Sequence, residues 1–424
     1  MDKFVVKGPC KLSGTVNISG AKNSALAILP ATLLVKGITK LKNVPDISDI
    51  QAFIEILRNL GSNIDYINQN TLIIDNTNIV TANASLELTS KFRASYYLLG
   101  SLIGRFNEVQ IALPGGCKLG TRPIDQHIKI LETLGAKVEI KNGNVTATKE
   151  KELIGTSIFL DVVSVGATMN AILSCVLANG NSVIKNVAKE PHIVDLANFL
   201  NLMGAKITGA GTNVIKIKGV KQLKPIDEIY PIIPDQIEAG TFMVAAAATK
   251  GNVTINGCIP KHLETIIEKL KEANVTVIEG ENSVQVINKE TPKSITINTA
   301  PHPGFPTDMQ PQFGVLETIS DKTGIITENI WESRFQYTDE LIKMGANITT
   351  IHNTAIFSGV SCLSASKVSA TDLRAGAALI IAGLIANGNT EIYNISHILR
   401  GYENIIDKLT KLGADIKLVK EDEN

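Results

Sequence analysis

The amino-acid sequence predicts an α/β protein of two similar domains, each built from three copies of one repeat. Three observations lead to this prediction: a short phrase recurs along the chain, an amphipathic helix pattern precedes it, and each repeat also carries a helix that is apolar nearly all round. The 424 residues are about three times the ~150 of a typical domain. Repetition explains this length better than three unrelated domains would.

The recurring phrase consists of an apolar residue, glycine, a small residue, a variable residue and a β-branched residue. Its copies follow one another at about seventy residues. They lie at 60–64, 134–138, 203–207, 344–348 and 412–416, with a degraded copy at 273–275. A glycine after the last apolar helix residue is typical of a left-handed C-cap, and the run that follows is typical of a strand.

Two kinds of helix pattern accompany the phrase. Apolar residues three and four apart predict surface helices directly before it. These amphipathic patterns occupy 49–60, 124–134, 192–203, 263–270 and 403–412. Patterns without a polar face predict helices buried inside a domain. The buried patterns occupy 21–35, 93–103, 165–177, 237–248, 309–319 and 373–386.

The ends of the chain predict how the repeats divide. The last repeat stops at Val419 without its further strands, while the chain begins with strand-like runs at 4–7 and 15–18. We therefore expect residues 1–21 to complete the sixth repeat. The proline-rich stretch 224–235 leaves three repeats on each side. The predicted domains are 22–230, and 1–21 together with 231–424, with an active site in the cleft between them.

Composition and charge argue against several classes of function. Forty-one basic residues balance forty-one acidic ones, so there is no global positive field for binding nucleic acid. The apolar run 377–386 is shorter than the ~18 residues of a membrane span, and the N-terminus has no signal-peptide core, so we expect a cytoplasmic protein. Scattered cysteines and histidines predict neither a disulfide framework nor a metal site, and no cofactor is expected. The oligomeric state does not follow from the sequence.

Polar residues are concentrated at the N-terminal ends of the buried helix patterns. They are Lys22, Asn23, Lys91, Arg93, Ser164, Gly166, Asp235, Gln236, Thr307, Asp308, Thr371, Asp372 and Arg374. Helix N-termini attract anions, so three such ends from each domain would suit a pair of anionic ligands. The alternative is ordinary capping: Thr307 and Gln310 have the spacing of a capping box, and Asp308 and Asp372 suit a first turn. Lys22 is unfavourable at a helix start and therefore indicates a nearby anion.

Two loops carry further candidate residues. In the glycine-rich loop 113–127, Cys117 lies beside Lys118 and near Arg122, a setting that favours the thiolate. The loop lacks the lysine and hydroxyl ending of a phosphate loop, and its spacing also permits a Cys117–His127 dyad. The proline-rich stretch 301–310 would hold Asp308 stiffly, as a general base requires.

These segments resemble the enolpyruvyl transferases that act on UDP-N-acetylglucosamine. The resemblance runs the full length, through GAKNSALAILPA at 20, LPGGCKLGTRPIDQH at 113, SVGAT at 164, PHPGFPTDMQ at 301, ATDLRAGAAL at 370 and RGYE at 400. It implies an inside-out α/β barrel fold, with two domains each of three βαβαββ repeats around buried helices. It also implies transfer of the enolpyruvyl group of phosphoenolpyruvate to the 3′-hydroxyl of UDP-N-acetylglucosamine, with release of phosphate through a tetrahedral intermediate, as the first committed step of peptidoglycan synthesis.

The resemblance implies roles for individual residues. Cys117 would be the general acid, form an adduct with phosphoenolpyruvate and be alkylated by fosfomycin, and Asp308 would be the base on the 3′-hydroxyl. Phosphoenolpyruvate would be bound by Lys22, Asn23, Arg122, Arg374 and Arg400, of which Lys22 and Arg400 would also be catalytic. The nucleotide sugar would contact Asn23, Arg93, Arg122, Pro123, Ile124, Asp125, Ser164, Val165, Gly166, Asp308 and Ile330, with Arg334 and Asp372 in support.

The chain departs from the family pattern at Gln236, where arginine is usual, and at Leu399, where aspartate is common. Two other functions compete with the transferase. The 5-enolpyruvylshikimate-3-phosphate synthases share the fold and the phosphoenolpyruvate chemistry, but the GGC loop and the GAKN start argue against them. A silent sensor of nucleotide sugars would need neither acid nor base, so the joint presence of Cys117 and Asp308 argues against it.

Overall fold

The structure is a computed structural model that describes residues 2–79, 81–90, 93–113 and 124–420, apart from the side chain of Arg93. Within these ranges the helices are α1 (Lys22–Thr32), α2 (Ser48–Asn59), α3 (Leu86–Ser90), α4 (Tyr97–Arg105), α5 (Asp125–Thr133), α6 (Val165–Cys175), α7 (Pro191–Leu202), α8 (Gln236–Ala248), α9 (Glu264–Glu272), α10 (Gln310–Thr318), α11 (Tyr337–Lys343), α12 (Leu373–Ile385), α13 (Ser396–Leu399) and α14 (Ile405–Lys411). Short 3-10 helices cover Arg93–Tyr96, Pro260–Leu263, Thr307–Met309 and Arg334–Gln336.

The strands are short, with none longer than six residues among those described. In chain order they are β1 (Lys3–Gly8), β2 (Ser13–Asn17), β3 (Ile38–Lys42), β4 (Asn63–Asn68), β5 (Thr71–Asp75), β6 (Glu108–Ala112), β7 (Lys137–Lys141), β8 (Asn144–Thr148), β9 (Ser157–Phe159), β10 (Asn181–Lys185), β11 (Lys206–Thr208), β12 (Val214–Lys218), β13 (Ile229–Pro231), β14 (Asn252–Asn256), β15 (Thr276–Glu279), β16 (Ser283–Ile287), β17 (Thr296–Asn298), β18 (Thr323–Thr327), β19 (Asn347–Ile351), β20 (Thr354–Ser358), β21 (Lys367–Ser369), β22 (Gly388–Tyr393) and β23 (Asp415–Val419).

The described chain divides into two compact lobes. The first lobe comprises 20–113 and 124–233, and the second comprises 2–19 and 234–420. Within the first lobe the sheets are β13-β3-β5-β4, β6-β8-β7 and β11-β12-β10-β9. Within the second they are β15-β16-β14-β2, β17-β18-β20-β19 and β21-β22-β1-β23. Each sheet has three strands of one repeat, and all but β6-β8-β7 carry a fourth strand from another repeat, so the repeat read from the sequence is also the main structural unit.

The buried helices are the ones that the apolar patterns predict. In the first lobe α1, α4 and α6 belong to one apolar core, and in the second α8, α10 and α12 belong to another. Burial is nearly complete, for example from Ile237 to Ala248 in α8 and from Arg374 to Leu384 in α12. The inside-out arrangement, with helices inside and sheets outside, is therefore confirmed.

The surface helices are confirmed as well, as α2, α5, α7, α9 and α14, and α11 takes the same place in the fifth repeat. Glycines at positive φ end several of them, including Gly61 and Gly135 in the recurring phrase. No helix among the described residues is long and apolar enough to span a membrane.

Each lobe is closed by strands that one repeat donates to the sheet of another. β9, β17 and β21 each pair in parallel with the first strand of the next repeat, and an isolated bridge from Asn83 to Gln110 does the same between the first two repeats. β13 closes the first lobe by pairing with β3, and β2 closes the second by pairing with β14.

This exchange extends one expectation from the sequence. The prediction that residues 1–21 complete the sixth repeat is right for β1, which lies between β22 and β23. β2 follows as the last strand of that repeat, but it pairs with β14 in the sheet of the fourth repeat, with Val16 opposite Ile255. It pairs outside its own repeat as β9, β17 and β21 do.

Replacing Gly100 by alanine tests the contact between α4 and α6. A Cβ at Gly100 would lie 2.5 Å from Oδ1 and 2.7 Å from the backbone oxygen of Asn170. Because a packed core tolerates extra atoms poorly, we expect Gly100→Ala to lower the free energy of unfolding by about 1–3 kcal/mol in a denaturant titration. Gly104→Ala on the same helix is the matched control, since its Cβ would meet the side-chain ends of Leu34 and Leu177 at 3.2 and 3.6 Å. Equal losses in the two variants would contradict this account.

Glu317 in α10 makes the stability of the second lobe depend on pH. It is fully buried, Oε2 accepts from the backbone N–H of Ile295 at 3.3 Å, and Oε1 has no hydrogen-bond partner among the described residues. Burial raises the pKa of Glu317 from 4.5 to about 8. The folded chain thus keeps this proton to higher pH than the unfolded chain, so the stability it contributes is full below pH 4.5 and is lost as the pH rises through 8.

Glu317→Gln keeps the shape of the protonated acid without the titration. We expect the Tm of this variant, relative to the wild type, to rise as the pH is raised from about 6 to about 9. Glu55→Gln removes an exposed carboxylate from α2 and is the control. A difference for Glu317→Gln that stays constant with pH would count against the buried proton.

Candidate active site

The start of α1 carries Lys22 and Asn23. The Lys22 side chain is almost buried, and its Nζ lies 2.6 Å from Oδ2 of Asp49 in the first turn of α2. The sequence predicts an anion near Lys22, and the carboxylate of Asp49 is one such anion. Ala21 provides no side-chain cap, so the first N–H groups of α1 are not satisfied by a capping side chain.

A buried carboxylate that the sequence analysis missed holds α1 in place. Asp195 in α7 accepts hydrogen bonds from the hydroxyls of Ser24 and Tyr230 and, at 3.4 Å, from the N–H of Ile233. Burial raises the pKa of Asp195, while these hydrogen bonds oppose the shift. Its signal was that it is the single acidic residue of α7. Asp195 fixes the first turn of α1 against α7 and the segment 230–233.

Five of the residues expected to contact the nucleotide sugar lie where α5 and α6 begin: Ile124, Asp125, Ser164, Val165 and Gly166. Ile124 is buried just before α5, and Asp125 is exposed at its first position. Gln126, which the sequence analysis did not single out, joins the two helix starts: its Nε2 donates to Asp161 at 3.1 Å, and its Oε1 accepts from the N–H of Asp161 at 2.9 Å. The loop 161–164 thereby lies against the first turn of α5.

Ser164 is the N-cap of α6 and accepts a hydrogen bond from the N–H of Ala167 at 3.3 Å. Val165 and Gly166 form the first turn. A Cβ at Gly166 would lie 3.3 Å from Cε1 and Nε2 of His127, so the glycine allows the imidazole to approach the helix start.

The imidazole of His127 has a defined tautomer. The amide oxygen of Asn170 accepts from the N–H of Gly100, so its Nδ2 is the donor to Tyr96 O and to Nδ1 of His127, at 2.8 and 2.6 Å. Nδ1 is therefore an acceptor, and the proton is on Nε2. A dyad with Cys117 would have to use Nε2, which lies against Gly166.

In the second lobe Asp308 is held by two buried arginines. Its Oδ1 accepts from Nη2 of Arg334 at 3.0 Å, and its Oδ2 accepts from Nε and Nη2 of Arg374 at 3.1 and 3.0 Å. Burial is the largest single effect on Arg374 and lowers its pKa, but Asp308, Tyr402 and Asp235 together more than offset it and the net shift is upward. The Asp308 side chain remains 30% exposed. The arrangement presents an oriented carboxylate at the surface of the lobe.

The proposed capping box at Thr307 and Gln310 is wrong. Neither the 3-10 helix at Thr307 nor α10 has a side-chain cap. The hydroxyl of Thr307 instead donates to Oε2 of the buried Glu328 at 2.8 Å. Oε1 of Glu328 accepts from the N–H of Ile330, the residue expected to contact the nucleotide sugar.

Asp372 lies directly before α12, and Arg400 lies directly after α13. Asp372 caps α12, accepting from the N–H groups of Arg374 and Ala375 at 2.8 and 3.1 Å, so its capping interpretation holds. Arg400 is partly buried directly after α13. Two residues later the ring of Tyr402 lies 5.5 Å from the guanidinium carbon of Arg374.

Several expected site residues fall outside the described part of the chain: Cys117, Arg122, Pro123 and the side chain of Arg93. Among the other cysteines, burial raises the pKa of Cys10 to about 11 and of Cys175 to about 12, and Cys258 shifts in the same direction. Cys362 is exposed. The described histidines, cysteines and acids form no group that could hold a metal ion.

Comparisons with known proteins agree over nearly the whole length. Residues 6–409 match the family EPSP synthase (3-phosphoshikimate 1-carboxyvinyltransferase). A UDP-N-acetylglucosamine 1-carboxyvinyltransferase of Clostridium botulinum is 55% identical over 98% of this chain and 99% of its own. A UDP-N-acetylglucosamine 1-carboxyvinyltransferase 2 of Clostridium acetobutylicum is 53% identical over 99% of this chain and 100% of its own.

Solved structures confirm the fold. The enolpyruvyl transferase NikO of Streptomyces tendae has a TM-score of 0.90 at 24% identity, covering 99% of both chains. The EPSP synthase of Acinetobacter baumannii has a TM-score of 0.76 at 18% identity, covering 99% of this chain and 100% of its own. Since the family match and the high identities both extend over almost the entire sequence, the chain belongs to the EPSP synthase family of enolpyruvyl transferases, among the UDP-N-acetylglucosamine 1-carboxyvinyltransferases.

Proposed function

We propose that this protein transfers the enolpyruvyl group of phosphoenolpyruvate to the 3′-hydroxyl of UDP-N-acetylglucosamine and releases phosphate. The observation that carries the proposal is the identity of 55% over 98% of the chain to an enzyme named for this acceptor. The acceptor of the family's other branch is disfavoured, because identity to the Acinetobacter EPSP synthase is only 18%. The product is the first committed intermediate of peptidoglycan synthesis. A cytoplasmic location stays a prediction.

The addition step needs a base on the sugar hydroxyl and an acid at C3 of phosphoenolpyruvate. We assign the base to Asp308, whose oxygens Arg334 and Arg374 orient and whose side chain is 30% exposed. As the 3′-oxygen bonds to C2, its proton passes to Asp308, and Cys117 protonates C3. Elimination then returns a proton from C3 to the Cys117 thiolate and expels phosphate from C2, which forms the enol ether of the product.

The anionic groups of the substrates need positive partners. Lys22 and the uncapped N-terminal N–H groups of α1 support a role in binding phosphoenolpyruvate, together with Asn23, Arg122 and Arg400. The starts of α5 and α6, from Ile124 and from Ser164, support a role in binding the nucleotide sugar. Residues of both lobes are thus proposed to act on the same pair of substrates.

The choice of acceptor tests the proposed function directly. We expect purified protein to release phosphate from phosphoenolpyruvate when UDP-N-acetylglucosamine is present, as measured by a colorimetric phosphate assay. Shikimate 3-phosphate in place of the nucleotide sugar is the control and should give release at the background rate. Release with shikimate 3-phosphate alone would assign the chain to the other branch, and release with neither acceptor would refute the transferase.

The role of Cys117 is tested by alkylation. Incubation with fosfomycin and UDP-N-acetylglucosamine should add one drug molecule to the chain, detected by intact-mass spectrometry and located on Cys117 by peptide mapping. Cys117→Ala should show no adduct. Cys362→Ala is the matched control, because Cys362 is exposed and lies outside the proposed site, so its loss should leave the adduct in place. An adduct that disappears with Cys362 would overturn the assignment.

A further inference from the structure

We propose that Glu328 is a positioning residue. It fixes the position of the base Asp308 relative to the loop 328–331, which contacts the nucleotide sugar. The inference rests on the proposed function, since it concerns the same reaction. Glu328 is the first residue after β18 and is only 2% exposed. It is not expected to touch either substrate.

One oxygen of Glu328 organises the sugar-contact loop. Oε1 accepts from the N–H groups of Ile330 and Trp331 at 2.8 and 3.2 Å, and from the hydroxyl of Thr299 at 2.8 Å. Two successive backbone N–H groups aimed at one carboxylate oxygen fold residues 328–331 into a turn around the side chain. Ile330, the expected sugar contact, is thereby placed by Glu328.

The other oxygen reaches the segment that carries the base. Oε2 accepts from the hydroxyl of Thr307 at 2.8 Å. Thr307 immediately precedes Asp308 in the 3-10 helix Thr307–Met309, and the backbone on this side has no capping side chain. The Thr307 hydroxyl is thus a direct link between Glu328 and the residue next to the base.

Asn329 adds two hydrogen bonds between the loop 328–331 and Thr299. Its N–H donates to the Thr299 hydroxyl at 2.8 Å, and its side-chain amide donates to the Thr299 backbone oxygen at 3.0 Å. Thr299 and Thr307 are the two ends of the proline-rich loop 300–306, and Glu328 binds both. One buried carboxylate therefore ties together the two ends of this loop and the turn at Ile330.

This connection matters for the reaction because a hydroxyl and its base must lie within hydrogen-bond reach. The turn at Ile330 places the sugar, and Thr307 places Asp308. A displacement of about 1 Å between reacting groups costs about a hundredfold in rate. Glu328 limits such displacement, since its two oxygens hold the two sides at a fixed separation.

Substitutions of Thr307 test the hydrogen bond to Oε2 of Glu328 separately from the hydrogen bonds to Oε1. Thr307→Val removes only the hydroxyl that reaches Oε2, whereas Thr307→Ser keeps it. We expect Thr307→Val to lower kcat for phosphate release by about ten- to a hundredfold, with the KM for UDP-N-acetylglucosamine within about twofold of wild type. Thr307→Ser should retain kcat within about threefold. Equal kcat values for the valine and serine variants would overturn the proposal.

Substitutions at Glu328 itself complete the test. In Glu328→Gln the amide oxygen can keep the three bonds of Oε1, and the amide nitrogen can donate to the Thr307 hydroxyl, so we expect kcat and KM within about threefold of wild type. Glu328→Leu leaves all four donors unsatisfied and should both lower kcat and raise the KM for the nucleotide sugar by about tenfold or more. If the leucine variant does not fold, the two Thr307 variants still decide.

The control is Thr327→Val, one residue before Glu328. The Thr327 hydroxyl shares a hydrogen bond with that of Thr354 at 3.2 Å, away from the proposed connection. We expect kcat and KM of this variant to equal those of the wild type. A merely structural role for Thr307 would lower the Tm of Thr307→Val without a selective change in kcat. Absence of activity in the wild type would refute the proposed function, whereas an active wild type with unaltered Thr307→Val would refute only the positioning role.

Discussion

The constraint on which the rest of this structure depends is the complete burial of the central helices. Helices such as α8 and α12 are apolar nearly all round, so each needs cover on every side. A single repeat has one small sheet and cannot supply that cover. Three repeats can, provided that their sheets form a closed layer, and the donated strands β13 and β2 provide the last connection in each lobe. Closure is therefore a requirement of burial, because an open edge would expose the helices to water.

Burial along the length leaves only the helix ends for polar chemistry. Ser164, Asp235 and Asp372 satisfy the first N–H groups of α6, α8 and α12, as ordinary caps do. α1 differs, since Ala21 offers no cap and Lys22 follows it. An uncapped N-terminus next to a lysine retains its attraction for an anion, whereas a carboxylate cap already neutralises part of it. The capped helices α6, α8 and α12 serve mainly as structural supports. Of these four helices, α1 is the best suited to bind a negatively charged substrate.

The sequence was sufficient for what local patterns determine. Periodicity located the repeats and both classes of helix, because the apolar spacing depends only on neighbouring residues. It did not place β2, since strand pairing joins Val16 to Ile255 across most of the chain. In the site, an ordinary role at the helix start was foreseen for Asp372 from residue type and position, whereas Ser164 was not named as a cap. Asp195 and Glu328 were missed, because a carboxylate whose partners are distant in sequence produces no local pattern.

The pairing of buried charges explains how a chain with no net charge can handle anionic substrates. Lys22 is paired with Asp49, Arg334 and Arg374 with Asp308, and Lys408 with Glu238. A buried guanidinium without a partner is strongly destabilising, so Asp308 is needed for the stability of two arginines as well as for its proposed role as the base. Because those arginines are rigidly placed, the carboxylate is oriented before any substrate arrives, and little ordering remains to be done on binding. Stability and the proposed catalysis therefore require the same carboxylate, and through Thr307 the buried Glu328 fixes the segment that carries it.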